Sequence, residues 1–246
     1  MGWHEVWRSV LERLGASLVA QEVSIGAWTA AAAALAALCV ATPLWAVVRP
    51  LVTVVHELGH AVVGVLCGRR FTGFVVNPDM SGHTVTAGRP RGIGLVLTTV
   101  AGYPMPAAVG AVMIAAAMGG RAPLILVTAG GLMIAALVRA RSLYTALALA
   151  TLLAATGAAW WRGSIELTSA AVCAAGVVLL VGAWRQLVSV VVHGGRADDP
   201  GALASLTRAP RWIWHLVMLV LIAWPTWWSA SALAPAIRAL ADHAAG

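Results

Sequence analysis

The sequence predicts an all-α polytopic membrane protein with about seven transmembrane helices and a small cytoplasmic β-hairpin. Three observations carry that fold class. Apolar residues make up 61% of the 246-residue chain and charged residues only 10%, far from the soluble average. Mean hydropathy is +0.87. Several stretches reach the roughly 20 apolar residues needed to cross about 30 Å of hydrocarbon with every backbone polar group satisfied internally.

The segments follow in order. Residues 1–24 carry Glu5, Arg8, Glu12, Arg13 and Glu22, while Trp3, Trp7, Val10, Leu11, Leu14 and Leu18 recur at helical spacing. That pattern predicts an amphipathic helix lying on the membrane surface. Within 25–234, apolar length and the Arg, Pro and Gly punctuation place spans near 26–48, 50–67, 93–118, 122–138, 142–160, 165–192 and 211–233. The second is short, and only Arg139, Ala140 and Arg141 separate the fourth from the fifth, so a count of six stays open.

The linker 68–92 differs in kind. Phe71 to Val76 has β character, Asn77-Pro78-Asp79 and Ser81-Gly82 are turn formers, and His83 to Thr86 alternates again, which predicts a hairpin. Residues 193–210 read as a second loop holding a short helix at 200–207, and 235–246 as a tail.

The net charge of +7 comes wholly from arginine. The arginines stand singly or in pairs between apolar segments rather than on one basic face, which argues against a nucleic-acid partner and for a lipid bilayer. If seven spans alternate, Arg8, Arg13, Arg69, Arg70, Arg89, Arg91, Arg139, Arg141, Arg185, Arg196, Arg208 and Arg211 share one side, against Arg49, Arg121, Arg162 and Arg238 on the other. The positive-inside rule then predicts a multi-pass cell-membrane protein with a cytoplasmic N-terminus and its C-terminus outside. Cys39, Cys67 and Cys173 form neither a C-x-x-C pair nor a disulfide framework.

The chemistry concentrates in the second span, at His56-Glu57-Leu58-Gly59-His60. Spacing of i, i+4 on a helix brings two imidazoles to one face, where they can share a zinc ion, and Glu57 beside them can act as general base to a metal-bound water. Two imidazoles and a carboxylate at membrane depth are costly unless paired or metal-bound, which favours the metal over a pair of packed histidines. A catalytic zinc takes three protein ligands and leaves a position open. On the side that His60 approaches, the candidate third donors are Asp79, Asp198 and Asp199, with His83 and His193 as nitrogen donors. The Asp198/Asp199 pair is favoured, because Asn77-Pro78-Asp79 has a ready explanation as a turn. Asp before Pro also marks a helix start, so one of the pair can cap that helix while the other binds metal. His215, after Trp212 and Trp214, reads as an interfacial polar residue.

The motif His56-Glu57-Leu58-Gly59-His60-Ala61, the following Gly68-Arg69 hairpin, Ala101-Gly102-Tyr103 in the next span and a distal Asp before Leu203 to Trp214 together resemble the site-2 protease family of intramembrane zinc metallopeptidases, in particular its small bacterial branch. The resemblance implies a zinc site sunk in the membrane near its cytosolic face. It also implies His56 and His60 as ligands, Glu57 as catalytic base, and Asp199 as third ligand by its spacing to Leu203 and Leu206, with Asp198 as the alternative. One departure stands out: Asp199 is followed by Pro200 and Gly201 and lies between spans, whereas better-known members carry an Asp-Gly motif within a core span.

The expected function is zinc-dependent hydrolysis of peptide bonds in membrane-spanning protein substrates, with Glu57 activating a zinc-bound water. The alternative is a non-proteolytic metal-binding membrane scaffold or a metal transporter. A transporter would spread ionisable residues over several spans, and this chain gathers them in one.

Overall fold

The computed structural model describes residues 2–23, 27–77 and 81–245. The helices are α1 (Trp3–Ser17), α2 (Ala27–Ala41), α3 (Trp45–Leu66), α4 (Ile93–Val100), α5 (Pro104–Met118), α6 (Ala122–Leu137), α7 (Leu143–Arg162), α8 (Ile165–His193), α9 (Asp199–Thr207) and α10 (Arg211–Ala245). Between α3 and α4 the antiparallel strands β1 (Arg70–Val76) and β2 (Gly82–Ala87) form the expected hairpin. Asp79, weighed above as a ligand, lies outside the described residues.

Trp45–Leu66, Leu143–Arg162, Ile165–His193 and Arg211–Ala234 are each long and apolar enough to cross a membrane. The pair α4–α5, bent by 59° at Ala101-Gly102-Tyr103, makes a fifth if taken as one span. Pro104 opens α5 just after the break, at a position where a missing N–H costs nothing. The segments expected at 26–48 and 122–138 form the shorter apolar helices α2 and α6, so seven full-length spans are not seen among the described residues.

α8 is the axis of the bundle, with Val172, Cys173, Leu179 and Ala183 buried against α2, α5 and α10. At its crossing with α5 the backbones touch through glycines: a Cβ on Gly176 would lie 2.7 Å from the Gly110 carbonyl oxygen and 2.9 Å from Ile114. Small residues at such crossings let helices gain dispersion contacts where lipid removes the hydrophobic drive between them.

The connections fix which ends lie together. At one end Arg13 on α1 donates to the carbonyls of Trp160 (2.7 Å) and Gly163 (3.3 Å), Trp160 donates to Ser17 Oγ (3.0 Å), and Gln21 N–H donates to the Gly120 carbonyl (3.0 Å). At the other end β1 pairs with the α6–α7 turn: Phe74 N–H donates to Arg139 O (3.2 Å) and Arg141 N–H to Phe74 O (3.1 Å). Arg8 and Arg13, expected on the hairpin's side, therefore lie at the opposite end with Arg121 and Arg162.

The break near the expected second span also differs. The sequence reading put it at Arg49-Pro50, but α3 runs through Pro50, and the chain turns instead at Thr42-Pro43-Leu44, closed by Trp45 N–H donating to Thr42 O (3.1 Å). Pro50 sits in the second turn of α3, where its missing N–H frees a single carbonyl. The path of α2 follows from reach. From Gln21 to Ala27 the chain spans at most about 20 Å, so α2 starts near the α1 end. Its far end is held where Val40 O accepts from Arg185, about 30 Å along α8 from Ile165. α3 begins at that level, with Arg185 5.0 Å over the Trp45 ring and Val52 against Gly182, and finishes at the hairpin. α2 and α3 thus meet at the level of Arg185, through the turn at Thr42-Pro43-Leu44.

Replacing Gly176 with Val should push α5 off α8. An overpacking loss of about 1–3 kcal/mol is expected, seen as a lower melting temperature in detergent; wild-type melting would contradict so close a crossing.

Candidate metal centre

α3 buries Val52, Val54 and Ala61 against the bundle, which turns His56 and His60, one helical turn apart, toward the α4–α5 break and α9. Their Nε2 atoms stand 3.1 Å apart. Asp199 Oδ2 lies 3.3 Å from each. His60 Nδ1–H donates to the Thr98 carbonyl at 2.7 Å, and since a carbonyl only accepts, the neutral ring presents its Nε2 lone pair to the cluster. Tyr103 packs edge-on to His56, with ring centroids 4.8 Å apart.

The two adjacent aspartates have different surroundings. Asp198 is the N-cap of α9, accepting from Gly201 N–H (2.8 Å) and Gly195 N–H (2.6 Å), and it pairs with Arg211. Arg211 also donates to the carbonyls of Gly195 (2.9 Å) and Val190 (3.2 Å), so one guanidinium pins the loop between α8 and α9. With the cap filled by its neighbour, Asp199 is free to face the histidines from the first turn of α9.

The residues present fit a zinc ion. Asp199 Oδ2 is buried without a hydrogen-bond partner, although two imidazole nitrogens stand near it. Ligand atoms 2.0–2.1 Å from a tetrahedral centre lie about 3.3 Å from one another, close to the separations seen here. A Cβ on Gly102 would fall 2.5 Å from both Nε2 atoms, so the absent side chain leaves a cradle over the cluster. Two imidazoles and one carboxylate form a donor set that leaves a fourth position open.

Glu57, 4% exposed, faces the hairpin rather than the bundle core. Thr84 Oγ1 on β2 donates to its Oε2 at 2.5 Å and lies 3.0 Å from its backbone carbonyl oxygen. Two residues earlier, Gly82 leaves the room the carboxylate occupies: a Cβ there would come 2.6 Å from Glu57 Cδ.

Of the candidates from the sequence, His56, His60 and Asp199 come together, with Glu57 beside them. Asp198 caps α9. His83 and His193 are exposed and outside the cluster. His215 accepts from Arg211 Nε at 3.2 Å. Gly102 stood in the Ala101-Gly102-Tyr103 stretch read from the sequence, whereas sequence reasoning missed Thr98, Arg211, Gly82 and Thr84. The last two carried a signal, since with Thr86 they make a small-residue face at i, i+2 on a predicted strand.

A bundle of apolar helices with this cluster inside it defines a polytopic membrane protein with a candidate metal centre. The model of the Peptidase M50B-like family matches residues 28–229, and the chain belongs to that family. Membership points to an intramembrane metallopeptidase. Comparison with curated proteins and with solved structures gives no match.

The assignment of donors predicts zinc content. Purified wild-type protein should carry one zinc per chain, and His56→Ala and Asp199→Ala should lose it. Asp198→Ala should keep the metal while α9 loses about 1 kcal/mol of capping. Elemental analysis with thermal melting separates these outcomes.

Proposed function

We propose that this protein is a zinc-dependent endopeptidase that hydrolyses peptide bonds within membrane-spanning protein substrates, with His56, His60 and Asp199 holding the metal and Glu57 acting as general base. The observation that carries the reading is the convergence of three donor atoms, 3.1–3.3 Å apart, next to a buried carboxylate on the same helix. Zinc held there would supply Lewis acidity, lowering the pKa of water and stabilising negative charge on a carbonyl oxygen.

The chain's own residues account for the proton transfers. Glu57 takes a proton from the water that attacks the peptide carbonyl carbon, then passes it to the nitrogen that leaves as the C–N bond breaks. A helical substrate must unwind before its carbonyls are accessible, and the hairpin offers a place for the extended segment. One edge of β1 is taken by β2 and the other by Arg139 to Arg141, so the open edge of the sheet belongs to β2, the strand that touches Glu57.

Membrane orientation follows from charge. The hairpin end carries Arg69, Arg70, Arg89, Arg91, Arg139, Arg141, Arg196, Arg208 and Arg211, while the α1 end carries Arg8, Arg13, Arg121, Arg162 and Arg238. By the positive-inside rule the hairpin and the loop before α9 face the cytoplasm. With α2 and α3 as one broken traverse, the chain crosses six times, and α1 lies outside together with the end of α10. This replaces the cytoplasmic N-terminus expected from seven alternating spans. The exposed Trp3, Trp7 and Leu11 of α1 then rest on the outer lipid surface.

Two measurements check these statements. Cleavage of a model transmembrane substrate in proteoliposomes should fall at least about 100-fold in Glu57→Gln with zinc retained, the scale of a lost general base; undiminished cleavage would remove Glu57 from the mechanism. In a cysteine-free background, a membrane-impermeant thiol reagent applied to intact cells should label Ser9→Cys, and should label Arg89→Cys only after permeabilisation. The reverse pattern would overturn the orientation.

A further inference from the structure

We infer that Thr84, set beside Gly82 on the strand face that meets α3, is the positioning residue for Glu57; the inference rests on Glu57 being the general base. The geometry is that of a notch. Gly82 and Thr84 are two apart on β2 and so share one face, and that face meets the same residue of α3. One contributes a hydroxyl and the other contributes empty space.

The Thr84 hydroxyl has one hydrogen and two acceptors in reach, both on Glu57: the carboxylate Oε2 at 2.5 Å and the backbone carbonyl oxygen at 3.0 Å. The ionised carboxylate is the stronger acceptor, and 2.5 Å is the short separation typical of a charge-assisted O–H···O⁻ bond. An oxygen seated against both the backbone and the side-chain end of one residue fixes the torsions between them. At Gly82, a Cβ 2.6 Å from Cδ and 2.8 Å from Cγ would drive the carboxylate out of this position. Thr84 therefore holds Oε2, while Oε1 lies against Gly82, in the space that a Cβ there would take.

Packing alone does not explain a threonine here. Val matches Thr in shape and in strand preference, so a residue chosen only to cover α3 would be served equally by either. At the neighbouring register position the Thr86 hydroxyl accepts from Arg69 Nε at 3.0 Å, at the base of the hairpin, while its methyl packs on Gly64 of α3. At position 84 the hydroxyl is spent on Glu57.

The test uses full-length protein in proteoliposomes with a model transmembrane substrate. Thr84→Val should lower kcat about 10- to 100-fold, the scale expected when a reacting group is misplaced by a fraction of an ångström to one ångström. KM should stay within about twofold and zinc content should not change, while Thr84→Ser, which keeps the hydroxyl, should recover most of the rate. Wild-type kcat in Thr84→Val, or equal impairment in the Val and Ser variants, would overturn the inference. Thermal melting supplies a readout independent of activity: Thr84→Val should lower the melting temperature in the wild-type background and not in Glu57→Ala. An equal drop in both backgrounds would show that Thr84 acts on the strand and not on Glu57. Should Glu57→Ala itself cleave normally, the base assignment fails on its own, and the melting cycle still decides whether Thr84 and Glu57 are coupled.

Discussion

An ionisable side chain carried into an apolar bundle costs about 3 kcal/mol by membrane-insertion scales unless something in the bundle answers it. α3 carries His56, Glu57 and His60 within five consecutive positions, so the surrounding elements have to supply partners. α4 gives the Thr98 carbonyl to His60, β2 gives the Thr84 hydroxyl to Glu57, and α9 gives the Asp199 carboxylate to both imidazoles. Three elements from three parts of the chain are thereby held around one turn of helix. The break between α4 and α5 belongs to the same requirement, because a side chain at Gly102 would strike both Nε2 atoms.

The distal carboxylate is placed by the geometry of a helix start. α9 is nine residues long and would be marginal alone. It is fixed by Asp198 at its cap, by Arg211 bridging that carboxylate to two loop carbonyls, and by buried Pro200 and Leu203. Two adjacent acids divide the work by position. A side chain at the cap is consumed by backbone N–H groups, and one residue later it points away from them. This arrangement supplies an aspartate to the cluster from a loop between spans without burying a carboxylate in a core helix.

How much of this was legible in the sequence varies with the kind of signal. His56, Glu57 and His60 were legible because i, i+4 spacing is a property of the helix itself. The hairpin was legible from its alternation and turn residues. The capping residue was harder, since Asp199 before Pro200 resembles an N-cap as well as Asp198 does. What decides it is Arg211, twelve residues beyond Asp199 and invisible to local pattern. The path of α2 and α3 was not legible at all. Apolar length says that a segment can live in lipid but not whether it crosses, and the contacts that place α2 and α3, such as the bond from Arg185 to Val40, join residues far apart in sequence. The side assigned to α1 depends on how many times the chain crosses after it.

The hairpin belongs to two bodies at once. β1 is tied to the α6–α7 turn: Arg141 donates to Thr72 O, Val76 N–H donates to Thr145 Oγ1 at 2.8 Å, and Gly73 at φ 147° lets the strand pass the Arg139 carbonyl where a Cβ would come 2.8 Å from it. β2 is tied to α3 through Glu57. The atoms of the His56, His60 and Asp199 cluster come from α3 and α9 and do not depend on this link, whereas the Glu57 carboxylate is set by it. The cluster and the setting of Glu57 are therefore separable in this fold. An extended segment joining the open edge of β2 would press on the strand that holds Glu57, so under the proposed function the surface that receives a substrate would also position the base.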